Sequence, residues 1–479
     1  MRARIFADEY RKWWTLGALS FALFMIMLDN TIVNVALPAI KSDLGIGTSE
    51  LEWVVTAYAL TFAVLLLTGG KLGDLYGRRL IFTIGLVVFT LSSLACGLSS
   101  SATELIGARA VQGVGSALMM PATLSIISAT FAARERGTAI GIWAGVSAMA
   151  LAIGPLLGGV ITEHISWNWI FYVNVPIGVL GVVASIVVVP ESRDTSHEQR
   201  LDLPGLLTSG IGLLALVYAL IEAHSFGWTS ARILSLFVIA AIALAAFVYV
   251  EMHQRLPMLD LTLFRDGTFT GANIVAILVT LAMFGIFVFF PIYMQTFLHW
   301  SPIQSGAALL PWTILIVIFA PIAGRLSDRV GSRWLMAGGM TTVALCCLEL
   351  STVSVNSGFW RMLPGFILGG LGMAFVMTPM SAAVMGAAPV DKAGVASGVL
   401  NTFRQVGVAL GIAITGAIIT NREAAAARAG ADPPHAFVHG LTFGMRVSAL
   451  ICLGAAVAAA VLVRKYRHAE QAQPLAEAA

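Results

Sequence analysis

Apolar residues arrive in long blocks separated by short polar stretches, without the alternation of strands or the one-sided stripe of water-facing helices. The blocks fall near residues 13–38, 51–70, 80–99, 103–128, 138–162, 168–190, 203–223 and 230–250, then near 268–297, 302–324, 333–354, 360–386, 394–420 and 441–463. Each is about long enough, at about 1.5 Å per helical residue, to cross a hydrocarbon core of about 30 Å. In lipid a segment must satisfy its own backbone, so the pattern predicts an all-α integral membrane protein of fourteen spans.

Composition agrees with this reading. Hydrophobic residues make up 58% of the 479 and charged residues 11%, with mean hydropathy +0.88, against about 25% charged in an ordinary soluble domain. A soluble enzyme on a single anchor is excluded. Arg2, Arg4, Arg11 and Lys12 precede the first block as in a signal peptide, but the block is too long and contains Asp29, so it reads as the first span. The four cysteines, Cys96, Cys346, Cys347 and Cys452, lie inside apolar blocks without the spacing of a zinc site or a secreted disulfide framework. No metal is expected.

Net charge is only +3, and no basic domain for nucleic acid appears, so the placement of charge carries more information. With both termini on one side, that side collects 20 of the 28 basic residues, among them Lys71, Arg78, Arg79, Arg134, Arg136, Arg193, Arg200, Arg255, Arg265, Arg325, Arg329, Arg333, Lys392, Arg464, Lys465 and Arg467. The positive-inside rule makes it the cytoplasmic side and supports an even span count in a cytoplasmic membrane.

The chain also repeats. GKLGDLYGRR from Gly70 returns as GRLSDRVGSR from Gly324, at an offset of 254. Gly113, Gly115 and Ala117 match Gly370, Gly372 and Ala374, and Gly137 and Gly141 match Gly394 and Gly398, at an offset of 257. Internal duplication accounts for this. The expected organisation is a six-helix bundle over 1–190, a linker with two additional spans over 191–267, peripheral to transport, and a second six-helix bundle with a tail over 268–479, the repeats related by an axis along the membrane normal.

Four motifs carry a resemblance to the major facilitator superfamily, and with the extra central spans to its fourteen-span drug:proton antiporter branch. They are LDNTIVNVALP at 28–38, GKLGDLYGRR at 70–79, RAVQGVGSA at 109–117 and GPLLGG at 154–159; WNWIFYVNVPIG at 167–178 adds a fifth, with Asn168 where arginine is usual. The resemblance implies the two-bundle fold, alternating access driven by the proton gradient without cofactor or ATP, a small-molecule substrate, and action as a monomer. Gly154, Pro155, Gly158 and Gly159 match its exporter motif, and the small residues also allow close helix packing. Pro155 has no counterpart at Ile412 of the second half.

Chemistry is expected where polar groups enter the apolar blocks. An ionised Asp29 costs about 2.5–3.5 kcal/mol in the first span unless it meets a cavity or a partner, which suggests that it faces the central pathway and exchanges protons. Arg109 lies about 8 Å below the outer end of span four and Asp29 about 13 Å below Pro38, so the two depths agree within about a turn. Because the resemblance implies that spans one and four both line the cavity, they are the expected proton-coupling pair, with a static ion pair as the bland alternative. Gln112 shares the face of Arg109. With Asn30, Asn34, Asn401, Arg404 and Gln405 it makes up the expected substrate cavity. Gly70, Asp74, Gly77, Arg78 and Arg79, repeated by Asp328, Arg329 and Arg333, resemble a conformational latch in which the carboxylate caps a neighbouring helix. The function so read is proton-coupled export of hydrophobic or amphiphilic compounds. Export of a dedicated metabolite, lipid or siderophore is the alternative, and substrate:proton symport is disfavoured by GPLLGG.

Overall fold

A computed structural model describes residues 8–193, 202–255 and 257–464. Arg2, Arg4, Arg200, Lys465 and Arg467 of the charge pattern lie outside them. The first half comprises α1 (Asp8–Leu44), α2 (Thr48–Tyr76), α3 (Arg78–Leu98), α4 (Ala102–Thr130), α5 (Ala133–His164) and a sixth span broken at Val173 into α6 (Trp169–Tyr172) and α7 (Asn174–Val188). The insert supplies α8 (Leu203–Phe226) and α9 (Ala231–His253). The second half comprises α10 (Gly267–Ile292), α11 (Pro302–Ala308), α12 (Leu310–Val330), α13 (Ser332–Leu350), α14 (Phe359–Ala387), α15 (Ala393–Arg428) and α16 (Pro433–Leu462). The described residues contain no strand.

Every predicted block is helical. Thirteen spans are long and apolar enough to cross a membrane. The remaining block became α13, which carries Arg333 and Glu349 near its ends and packs between α14 and α16. Starts follow local chemistry. Ser101, Asp202, Ser230 and Asp266 cap α4, α8, α9 and α10 through their side chains, and Ser301 with Gln304 forms a capping box before Pro302.

Within the first half α4 packs on α2 and α3, and α1 on α5; within the second, α13 packs on α14 and α16, and α10 on α15. The halves meet along two seams, α2 with α15 and α5 with α12. Both seams are closed by facing glycines. A Cβ at Gly394 would lie 2.5 Å from the Asp74 carboxylate, and one at Gly137 2.6 Å from the Gly324 carbonyl oxygen. Only residues without a side chain let backbones approach this closely.

The insert departs from its expected peripheral place. Its helices pair with each other, but α8 also lies across the seam between α2 and α15. Leu60 and Ala63 of α2 enclose Val217 of α8, and Trp53 meets Tyr218 at 5.9 Å between ring centroids. Much of α9 presents apolar side chains outward, including Leu234, Val238 and Ile242, as a lipid-facing helix must.

Candidate functional site

Asp29 and Arg109 meet. Arg109 Nη1 donates to Asp29 Oδ2 at 2.6 Å and to Gln112 Oε1 at 2.8 Å, and its Nε donates to the Val54 carbonyl of α2 at 3.1 Å. Gln112 Nε2 donates to Asp29 Oδ1 at 3.0 Å, and Asn174, at the start of α7, reaches the same oxygen at 3.5 Å. The guanidinium also lies 4.2 Å from the Tyr58 ring centre, where a cation meets the negative face of the aromatic system. Four helices thus converge on one carboxylate. The Tyr58 hydroxyl is shared with Ser116 at 2.9 Å and accepts from Asn30 at 3.3 Å, and Asn174 donates to Ser93 at 3.1 Å.

One expectation is corrected here. Asp29 and Gln112 are 0% exposed and Arg109 is 1% exposed, so they sit inside the first bundle and do not line an open pathway. Burying two charges is expensive, and a close pair offsets the cost only when the remaining lone pairs and protons are also satisfied. Gln112, Asn174 and the Val54 carbonyl do this. A charge-neutral, hydrogen-bonded cluster can lie away from water where a lone carboxylate could not.

The glycines of GPLLGG hold this cluster from the side. A Cβ at Gly158 would fall 2.9–3.0 Å from Ile32 of α1, Gly154 packs against Thr31 even more tightly, and Gly159 has only an ordinary contact with Val35 at 4.0 Å. These glycines press α5 onto the turn that follows Asp29, and α5 continues as helix through Pro155. Gly154→Val is expected to force α1 away from Arg109, at about the 1–3 kcal/mol typical of overpacking, lowering the unfolding midpoint in detergent and cutting transport several-fold. Gly159→Ala should leave both unchanged, and equal effects at the two positions would refute this reading.

The remaining expected cavity residues divide. Asn34 is exposed and bonds to the Asn30 carbonyl at 3.1 Å, and Asn30 is half-buried with its amide on the Ile26 carbonyl at 2.9 Å. Arg404 and Gln405 are half-buried on α15. Asn401, by contrast, is buried, donating to the Ser397 carbonyl at 2.9 Å, so it is tied to its own helix. The polar group foreseen around Arg404 does not close into a network: among the described residues the guanidinium has no hydrogen-bond or ion-pair partner.

The repeated motif places its carboxylates against helix starts of the opposite half, as the expected latch requires. Asp74 accepts from the Gly394 and Val395 amides at 2.9 and 2.8 Å, capping the start of α15 in the opposite half. Arg78 holds Asp74 at 2.8 and 3.0 Å and donates on to the Val390 and Asp391 carbonyls. Asp328 mirrors the cap, accepting from the Gly137 and Thr138 amides at 2.9 and 3.1 Å at the start of α5. The arginine leg differs from expectation. Arg333 lies over the Trp334 ring at 4.8 Å with its Nε unpartnered, and Arg329 is exposed. The offset explains it: Arg78 plus 254 is Ser332, so only the first latch has an arginine one turn after its carboxylate. Arg79 instead pairs with Glu191 at 3.7 Å, and Glu191 caps the start of α3. Gly77 and Gly331, both at positive φ, make the two corresponding turns.

A model of the major facilitator superfamily matches residues 19–412 and 272–479. The chain belongs to the major facilitator superfamily. Its relatives include a puromycin resistance protein of Streptomyces alboniger, 38% identical over 94% of this chain and 90% of that protein, and the multidrug resistance protein Stp of Mycobacterium tuberculosis, 37% identical over 85% of this chain and 75% of that protein. The solved proton:xylose symporter XylE shares the fold, with a TM-score of 0.69 at 13% identity over 96% of this chain and 97% of that one. The chain is thus a multi-pass membrane transporter of this superfamily. Three contributors to its sites were not foreseen from sequence. Asn174 was visible only as part of a family-like run, Tyr58 as one more aromatic in a span, and Glu191 lies far along the chain from the loop it caps.

Proposed function

We propose that the transporter is a proton-coupled antiporter exporting small hydrophobic or amphiphilic compounds from the cytoplasm by alternating access. The carrying observation is the Asp29–Arg109–Gln112 cluster: a lone membrane carboxylate whose charge is balanced by one arginine at 2.6 Å. Protonating Asp29 releases the arginine, and deprotonation restores the pair, so proton occupancy and the packing of α1 against α4 are linked. The basic bias supports a cytoplasmic latch face and cytoplasmic termini, and on that reading the closed latches make an inside-closed arrangement. Relatives named for multidrug and puromycin resistance support a drug-like cargo.

The mechanism needs no cofactor, ATP or covalent step. When the packing of α1 against α4 loosens toward the outer side, an external proton reaches Asp29 and substrate leaves. The caps at Asp74 and Asp328 then break, the inner face opens, and the proton departs as new substrate binds. One charge crossing 100 mV supplies about 2.3 kcal/mol and one pH unit about 1.4 kcal/mol, which together support a gradient of a few hundredfold for an uncharged substrate. Purified transporter acting as a monomer in vesicles should concentrate members of an amphiphilic drug panel when a pH gradient is imposed. Accumulation that is indifferent to the gradient would reject coupling, and no transport of any member would reject the substrate class.

A further inference from the structure

The linker between α9 and α10 touches both sides of the inner gate. On the second half, Asp260 pairs with Lys392 at 2.6 Å, immediately before the α15 start that Asp74 caps, and Phe264 stacks near Phe403 of α15 at 6.1 Å. On the first half, Lys71 of α2, one residue after Gly70, donates to the Pro257 carbonyl at 3.0 Å. The linker is itself seated. Glu251 at the end of α9 accepts from the Leu259 amide at 3.0 Å, Asp260 caps the short helical turn Leu261–Arg265 through Thr262 at 2.9 and 2.6 Å, and Met258, Leu259 and Leu263 are buried. Gly70 and Gly394, whose backbones touch, are the points at which α2 and α15 must part when this face opens.

We propose that the two-helix insert is a third clamp on the inner gate, in which Asp260, Lys392 and Lys71 act as positioning residues that favour the inside-closed state. A linker of fixed length bonded to both arms keeps both bonds only while the arms are together. Separation of Gly70 from Gly394 therefore breaks the Lys71–Pro257 bond, the Asp260–Lys392 pair, or both. The clamp gives the insert a task in the cycle, and it explains why α8 lies across the α2–α15 seam. The Asp260–Lys392 pair is not worked by acid. Partial burial pushes the Asp260 carboxyl up, but the Lys392 ammonium and the Thr262 hydroxyl and amide outweigh this and hold it below its ordinary range. The pair's contribution is thus complete above the ordinary carboxylate range and fades only as pH falls below it.

The inference rests on the alternating-access reading, and one labelling experiment separates the two. Ser397, buried one turn beyond Gly394 on α15, is replaced by cysteine in a background lacking the native cysteines, and its reaction with an impermeant maleimide is followed from the latch face of reconstituted vesicles. Asp74→Asn serves as the gate control. Asp260→Lys and Lys392→Asp should each raise the labelling rate about threefold, the size a part-exposed ion pair supports, and the double swap should return it toward the parent. If Asp74→Asn accelerates labelling while both single reversals leave it at the parental rate, the clamp is overturned. If Asp74→Asn also changes nothing, the gate reading itself fails. Should a reversal not fold, Asp260→Asn and Lys392→Met carry the same expectation, and a double swap that labels as fast as the singles also overturns the pairing.

Discussion

Arg109→Ala is expected to cause a large loss of stability. The arginine makes three side-chain hydrogen bonds within a cluster that water does not reach. Its removal strands the Asp29 carboxylate and takes one donor each from the Val54 carbonyl and Gln112 Oε1. Breaking a buried pair from one side costs about 3–5 kcal/mol, whereas replacing both partners with neutral groups of similar shape is often nearly neutral. Thermal unfolding in detergent should therefore show a large fall for Arg109→Ala, with much of it recovered in the double variant Asp29→Asn/Arg109→Gln, although transport stays lost. Equal midpoints for parent and Arg109→Ala would show that the pair carries no such weight.

The second large effect is expected at Gly394. A Cβ there meets the Gly70 backbone and the Asp74 carboxylate, and neither can yield without opening the seam between α2 and α15. Overpacking against yielding side chains costs about 1–3 kcal/mol; against a backbone in a movable seam, the relief is separation of the two halves. Gly394→Val should give a folded protein held open on the latch face, with transport reduced more than about tenfold and Ser397→Cys labelled rapidly from that face. Gly386→Ala, on α14 where a Cβ meets nothing within 4 Å, is the control and should behave as the parent. Full transport in Gly394→Val would mean that the seam never has to close so tightly.

Much of this architecture was legible because membrane helices obey few rules. Block length and polarity gave the spans, and the two repeat offsets gave more than the duplication. Asp74 and Asp328, related by 254, cap Gly394 and Gly137, related by 257, so residues repeated in sequence meet across the halves. The Asp29–Arg109 pair was legible from depth, since rise per residue placed both within a turn, together with the resemblance that brings spans one and four to one cavity. Its enclosure was not. Whether a carboxylate faces a cavity or a packed interior depends on neighbours from other helices, here Gln112, Asn174 and Val54, and helical position does not report them. The arginine leg of the second latch failed for a related reason: Arg333 repeats Arg79, not Arg78. The insert looked peripheral because it falls outside the repeat, yet absence from a repeat says nothing about contact. Lys71 and Lys392 were read as topological charge, and only the folded chain brings them to the linker.

The central claim is that Asp29 carries the proton. It is tested most directly by substrate-induced proton movement in vesicles containing purified parent or Asp29→Asn transporter. An asparagine keeps the size and hydrogen-bonding reach of the carboxylate but leaves the Arg109 charge unbalanced, so folding and substrate binding are measured on the same preparation. The account predicts proton flux on substrate addition in the parent and none in Asp29→Asn, with substrate binding retained. Undiminished proton-coupled transport by folded Asp29→Asn would contradict it.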